Sequence, residues 1–390
     1  MSLLDLPGPF WPGLFKHLLA AGSSGLAEAA AFEQTCKAMH GIATYTDLQL
    51  EKDISDHAHP LWSWLEGRLG RISGLTIHLY LADLPWEGLG QAWQHPLSLL
   101  ARVPGLHLKL STPETVAADD VALASAFLQQ HGHLISTLYL QHNITESGHA
   151  KMLPGLVPEQ CLDVDVALWA DEGRDVDLSD LQSLAGKLTD LTVDGDDDGT
   201  VVGLSTLLAL SKLTYLYVSA GKPLAEPWKV LAALTGLQEL FCAFQTTGDA
   251  APLSVLTHVT CFCLDSSYNT QNTYLSTLQP LTALQQLQEL TLGCFNTTSL
   301  HGLGALTSLS EVELKDNTSL ISLEGLNATA LISLSLGNLP GITSLARLSG
   351  LQCLRSLRID GDVPGTTDLE PLSHLASLQD LAIGEISEEV

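Results

Sequence analysis

The 390-residue chain sets 17 Lys+Arg against 44 Asp+Glu, a formal net charge of −27, and is 45% hydrophobic. That charge argues against a nucleic-acid binder, which needs a basic footprint to replace phosphate counterions, and against docking on an anionic membrane, while the apolar content excludes a disordered chain. Eighty leucines, about one residue in five, exceed ordinary globular usage and point to a structural repeat.

The N-terminal stretch carries Asp5 and no basic segment, and Lys16 and His17 interrupt the apolar run that follows. It does not read as a secretory signal, and no run of about 18 uncharged apolar residues occurs. Seven cysteines lack paired spacing, which fits reduced thiols. The expected compartment is intracellular, cytoplasmic or nuclear. Residues 1–50 read as short helices at 10–21 and 26–41, parted by Gly22-Ser23-Ser24-Gly25, with Pro9 and Pro12 confined to the first turn. Leu6-Pro7, Phe10, Leu14-Phe15 and Leu18, then Ala29-Ala30-Ala31-Phe32 and Thr35-Cys36-Lys37, resemble an F-box. The resemblance implies that Leu6, Pro7, Phe10, Leu14, Phe15 and Leu18 bind a Skp-family adaptor of a cullin-type ubiquitin ligase. The alternative is a plain helical cap, which a solenoid needs over its first repeat.

Residues 51–70 read as a helical linker, with a short helix at 60–70 docking Trp62 and Trp64 under the first repeat. From residue 71 a repeat takes over. Leu309-x-x-Val312-x-Leu314 recurs from Leu331, Leu354 and Leu378, at spacings of 22, 23 and 24 residues. The frame reads upstream from Leu287, Val259, Leu237, Leu213 and Leu188 at spacings of 22–28, and more loosely from Ile135, Val103 and Ile72. An irregular strand is expected at 162–166, and residues 114–130 read as a helix capped by Thr112 or Ser111. The pattern resembles the leucine-rich repeat over residues 71–390, with longer repeats at 71–186 and shorter ones at 187–390. The implied fold is α/β: a solenoid of about thirteen repeats with a curved parallel sheet and a convex side of short helical turns. Asn143 and Asn317, three residues after their frames, sit where the family places an asparagine that bonds backbone across neighbouring turns, and Asn338, two residues after its frame, is expected to serve similarly.

Enzyme chemistry finds little support. No G-x-S-x-G, P-loop, H-E-x-x-H or kinase signature occurs. Asp194-Gly195-Asp196-Asp197-Asp198-Gly199 opens like an EF-hand loop, but its twelfth position is Ser205, so an acidic turn is the first reading and a weak divalent site the second. Cys261 and Cys263 read as free thiols on the concave face, and His57/His59 and His131/His133 as surface or capping histidines. No catalytic residue, metal or cofactor is expected. The x positions of each frame point away from the core, and give Tyr139, Asp190, Tyr215, Tyr217, Glu239, Phe241, Asp265, Glu289, Glu311 and Glu313 as candidate target-binding residues. Exposed aromatics amid carboxylates resemble a binding hot spot; stacking across strands is the structural alternative. Residues 163–198 hold 12 acids against Arg174 and Lys187, which favours a basic protein target. The expected function is target capture for a ubiquitin ligase; the alternative is a leucine-rich-repeat scaffold or a regulatory or cytoskeletal adaptor, under a plain helical cap and without a ubiquitin role.

Overall fold

The computed structural model describes residues 48–49, 54–55, 57–81, 86–112, 116, 120–144, 153–170, 173–196, 198–245, 250–265, 277–327 and 330–384. The helices expected at 10–21 and 26–41, with Leu6, Pro7, Phe10, Leu14, Phe15 and Leu18, lie outside these residues. The chain divides into two compact units, Met1–Asn143 with Lys151–Ala167, and Ile144–Ala150 with Leu168–Val390.

In the first unit, strands alternate with α-helices: β1 (Leu48–Gln49), α1 (Leu61–Glu66), β2 (Leu75–Tyr80), α2 (Trp86–Leu100), β3 (Leu106–Ser111), α3 (Val121–His131), β4 (Ile135–Ile144) and α4 (Leu153–Leu156). Strand β5 (Asp163–Ala170) runs past its last residue. Pairing is parallel and in chain order from β1 to β4, so it begins upstream of residue 71. Buried Trp86, Leu89, Trp93, Leu97 and Leu100 recur along α2 in steps of three and four, the stripe an amphipathic helix needs. The expected 60–70 helix is shorter, ending at Glu66, because the chain tightens into a 3-10 turn at Leu69–Arg71. It docks its tryptophans as anticipated. Trp62 meets Trp93 edge-on at 5.9 Å, and the Arg68 guanidinium covers the Trp64 ring at 5.0 Å. The His59 ring accepts the Leu61 N–H, a capping role.

Two expectations fail here. The helix of 114–130 starts only at Val121; Val116 is not helical, and Asp120 rather than Thr112 or Ser111 precedes it. Thr112 bonds β4 instead, its hydroxyl donating to the Tyr139 carbonyl and accepting the Gln141 N–H. The loose frames also misalign. Superposing them would pair Leu106 with Leu138, whereas Leu110 pairs with Leu138, and the register slips at Leu108/Lys109. An irregularity there admits residues that the frame does not count.

The second unit is more regular. Its strands are β6 (Val176–Asp177), β7 (Leu188–Asp194), β8 (Val201–Val202), β9 (Tyr215–Ala220), β10 (Glu239–Phe244), β11 (Cys261–Leu264), β12 (Glu289–Gly293), β13 (Glu311–Lys315), β14 (Ser333–Gly337), β15 (Ser356–Asp360) and β16 (Asp380–Ile383), with one short helix, α5 (Pro227–Leu231). β6 and β8 form a separate two-stranded ladder. The others pair in parallel from β7 through β9 to β16. The register follows the leucine frame: Leu191, Leu216, Leu240, Phe262, Leu290, Val312, Leu334, Leu357 and Leu381 stand in one line. All but Leu381 are buried; it and Ile383 lie on the last described strand, which no further coil covers among the described residues. The return side runs through 3-10 turns such as Leu204–Ala209, Gln279–Ala283 and Ala346–Gly350, as expected of coils too short for full helices. This is a leucine-rich-repeat solenoid.

Between coils runs a backbone rail. The Gln288 carbonyl accepts both the Ser310 and Glu311 N–H groups, each at 2.9 Å, and the same fork recurs at Thr214, Gln238, Thr260, Ser310, Ile332 and Arg355. Asn317 is a second fastening. Fully buried, it donates from Nδ2 to the Thr297 carbonyl at 3.0 Å, and its Oδ1 accepts the Ser319 and Leu320 N–H groups. Asn338 differs: it is exposed at φ 49° and donates to the Asp316 carboxylate, a side-chain contact rather than a backbone one. The side chain of Asn143 is outside the described set.

Leu334→Ala should cost ~2–5 kcal/mol through lost transfer energy and a cavity, read by chemical denaturation. Asn317→Ala should cost about 2–4 kcal/mol, because it strands buried backbone groups. Asn338→Gly should be close to neutral, since the exposed bond it loses is offset by relief of the positive φ.

Candidate functional site

Because side chains alternate along a strand, one face of the second unit's sheet carries the second and third x positions of the frame. Its first row reads Asp190, Tyr215, Glu239, Cys261, Glu289, Glu311, Ser333 and Ser356 from β7 to β15. The second reads Thr192, Tyr217, Phe241, Cys263, Thr291, Glu313, Ser335 and Arg358. The candidate residues Asp190, Tyr215, Tyr217, Glu239, Phe241, Asp265, Glu289, Glu311 and Glu313 are thus brought onto one surface. Glu239, Glu289 and Glu311 are exposed and the others half-buried. Tyr139 belongs to the first unit. There it packs on His78 at 5.2 Å, and His78 Nε2 shares a 2.6 Å hydrogen bond with the Ser111 hydroxyl.

The aromatics partly stack, as the structural alternative held. Tyr215 and Phe241, diagonal neighbours on β9 and β10, lie 5.4 Å apart at 38°. Burial pushes the Tyr215 phenol up, a hydrogen bond with Thr192 works against that, and the charges of Glu239 and Asp190 add to it. Tyr215 is therefore a neutral hydroxyl at physiological pH.

Cys261 and Cys263 sit beside this step as free thiols. The Cys261 thiol donates to Glu289 Oε2 at 3.6 Å. Burial, then the Glu289 charge and that bond, push it up to about 12. Burial and Asp265 push Cys263 up to about 11, against the pull of Lys315. Both stay protonated and weakly nucleophilic.

Sequence reasoning missed one arrangement here. Lys315 Nζ reaches Asp265 Oδ2 at 2.6 Å from two strands away, across Gly293. A Cβ at Gly293 would meet Asp265 Oδ1 at 2.4 Å and Lys315 Cε at 3.1 Å, so the missing side chain is what lets the pair close. Burial alone would lower the Lys315 pKa, but the hydrogen bond and charge of Asp265, with Glu313, raise it. The signal was present in the frame: Asp265, Gly293 and Lys315 each follow the last frame residue by one.

The acidic turn after β7 is a structural knot. Asp194 Oδ1 accepts the Asp196 N–H, Asp196 Oδ2 accepts the Gly173 N–H, and the Asp196 carbonyl takes the Gly221 N–H. A Cβ on Gly199 would lie 1.7 Å from the Gly195 carbonyl oxygen, so only glycine fits there. Among the described residues no three His, Cys, Asp or Glu side chains group as metal ligands. His131 packs on Phe127 at 5.0 Å, and burial and His133 lower its pKa. Among the described residues no helix is long and apolar enough to cross a membrane.

No family model matches the chain. No curated protein matches it. Solved structures do. An internalin from Listeria monocytogenes is similar at 19% identity and a TM-score of 0.48, with 97% of this chain and 98% of that chain covered. Internalin C2 from the same organism is similar at 22% identity and a TM-score of 0.39, with 68% and 91% covered. A leucine-rich-repeat protein of Leptospira interrogans is similar at 15% identity and a TM-score of 0.42, with 90% and 87% covered.

Timed alkylation with iodoacetamide, read by peptide mass spectrometry, should find Cys261 and Cys263 at least about a hundredfold slower than an unperturbed thiol near neutral pH, with rates climbing steeply as pH rises. Glu289→Gln removes a charge that raises Cys261, so it should speed that thiol and leave Cys263 unchanged.

Proposed function

We propose that the chain is a protein-binding scaffold whose target surface is the outward face of β7 and β9–β13. The observation that carries this reading is the register ladder that sets Tyr215, Tyr217 and Phe241 side by side amid exposed carboxylates. Aromatic anchors in a polar rim carry most of the truncation cost in protein interfaces, while the rim steers encounter. Hydrogen-bonded backbone holds these side chains before a partner arrives, which lowers the ordering cost of binding.

The finer reading rests on the sequence of the first 50 residues. By their F-box resemblance they tether the scaffold to a Skp-family adaptor and so to a cullin-type ubiquitin ligase. The chain then catalyses nothing itself and acts by raising the target's effective concentration near the conjugating enzyme. Without that tether the same solenoid is a scaffold under a plain helical cap.

Co-purification of the full chain with a Skp-family adaptor at micromolar concentration is the expected outcome, and Leu14→Asp with Phe15→Asp should abolish it while the solenoid's denaturation midpoint holds. No association of the wild-type chain with any such adaptor assigns residues 1–50 to the cap. For a bound target, Tyr217→Ala should speed dissociation about tenfold, roughly 1.4 kcal/mol, with little change in association rate by surface plasmon resonance.

A further inference from the structure

The outward face of the second unit has three features that describe its occupant. First, like charges meet there. Glu289 and Glu311 are direct register partners, both exposed. Among the described residues no cation lies within ion-pair reach of either, or of Asp190 and Glu239. Like charges directly opposite on neighbouring strands oppose folding. Second, the nearest cation of the face is committed elsewhere, because Lys315 is held on Asp265 across Gly293. Third, half-buried Tyr215, which stacks on Phe241, stands in register between Asp190 and Glu239. An aromatic ring flanked by carboxylates attracts a cation from both its quadrupole and its surroundings. A chain with 44 acids against 17 bases adds a field of the same sign.

We propose that this face takes an extended basic peptide segment laid across the strands, with one arginine side chain over the Tyr215–Phe241 step and a second between Glu289 and Glu311. The proposal rests on the outward face being the scaffold's binding surface. The two seats are three strand spacings apart, from the β9–β10 step to the β12–β13 step. At ~4.8 Å per strand this is about 14 Å, which an extended chain at ~3.4 Å per residue covers in about four residues. Residues four apart also lie on the same side of an extended chain, since its side chains alternate. The ligand pattern is therefore two basic residues at i and i+4. Arginine suits both seats better than lysine, because its planar guanidinium stacks on an aromatic ring and spans two carboxylates.

The test uses the full chain and synthetic Gly/Ser-based peptides of about twelve residues, followed by fluorescence anisotropy at low and high salt. The peptide with arginines at i and i+4 should bind about tenfold or more tighter than the same peptide with citrulline at both positions. It should also bind more tightly than the i, i+5 peptide, whose arginines face opposite ways, and its advantage should shrink with salt. Glu289→Gln with Glu311→Gln should cut affinity to that of a single-arginine peptide while raising the denaturation midpoint, so the loss is not misfolding. Equal binding of the arginine and citrulline peptides, no binding of either, or full affinity in the double variant overturns the proposal. If neutral peptides bind and Tyr217→Ala removes them, the face is the binding surface and its cationic ligand is wrong. If the arginine peptide binds and no variant on this face weakens it, the reading of the face itself fails.

Discussion

From β10 to β16 each coil leans on the one before it through a forked hydrogen bond: two successive N–H groups of one coil converge on a single carbonyl of its predecessor, as Ser310 and Glu311 do on Gln288. The fork fixes where each strand starts, and so which residue faces the core. A coil of this length cannot bury its leucines alone, and stacking turns many half-cores into one. Hydroxyls at the same level reinforce the contact: Thr260 and Ser310 donate to the very carbonyls that their own N–H groups use. Asn317 does comparable duty on the return side, where no strand pairing is available.

With the core positions settled by the fork, the other face of the strands is released from packing and can be chosen for chemistry. It holds rings, thiols and carboxylates in straight rows, including a like-charged pair that does nothing for stability. The thiols are silenced first by burial and then by the carboxylates beside them: Cys261 next to Glu289 and Cys263 next to Asp265 hold their protons far above neutrality.

The second unit was legible in the sequence because a core residue at every second position cannot slip by one without turning its whole set outward. Leu188, Leu213, Leu237, Val259, Leu287, Leu309, Leu331 and Leu354 each announce a strand whose register follows. The rows on the outward face came from the same offset. The first unit was harder to read, because the slip at Leu108/Lys109 shifts pairing by residues that the frame does not count. Asn338 was misread because a frame offset does not reveal a positive φ. The Lys315–Asp265 bridge was hidden for a different reason: it depends on an atom that Gly293 lacks, and pattern reading weighs the side chains that are present.

The forked rail also sets how the second unit bears mechanical load. Its bonds run from coil to coil, so a pull applied along the stack loads the junctions in series and no one of them is shielded by the rest. Each junction that parts frees the slack of a single coil, 22–28 residues or roughly 75–95 Å of extended chain. Tension would therefore be met by stepwise lengthening one coil at a time, with the untouched coils keeping their rows of side chains in place. A solenoid built this way can yield at one end while the coils at the other keep their register.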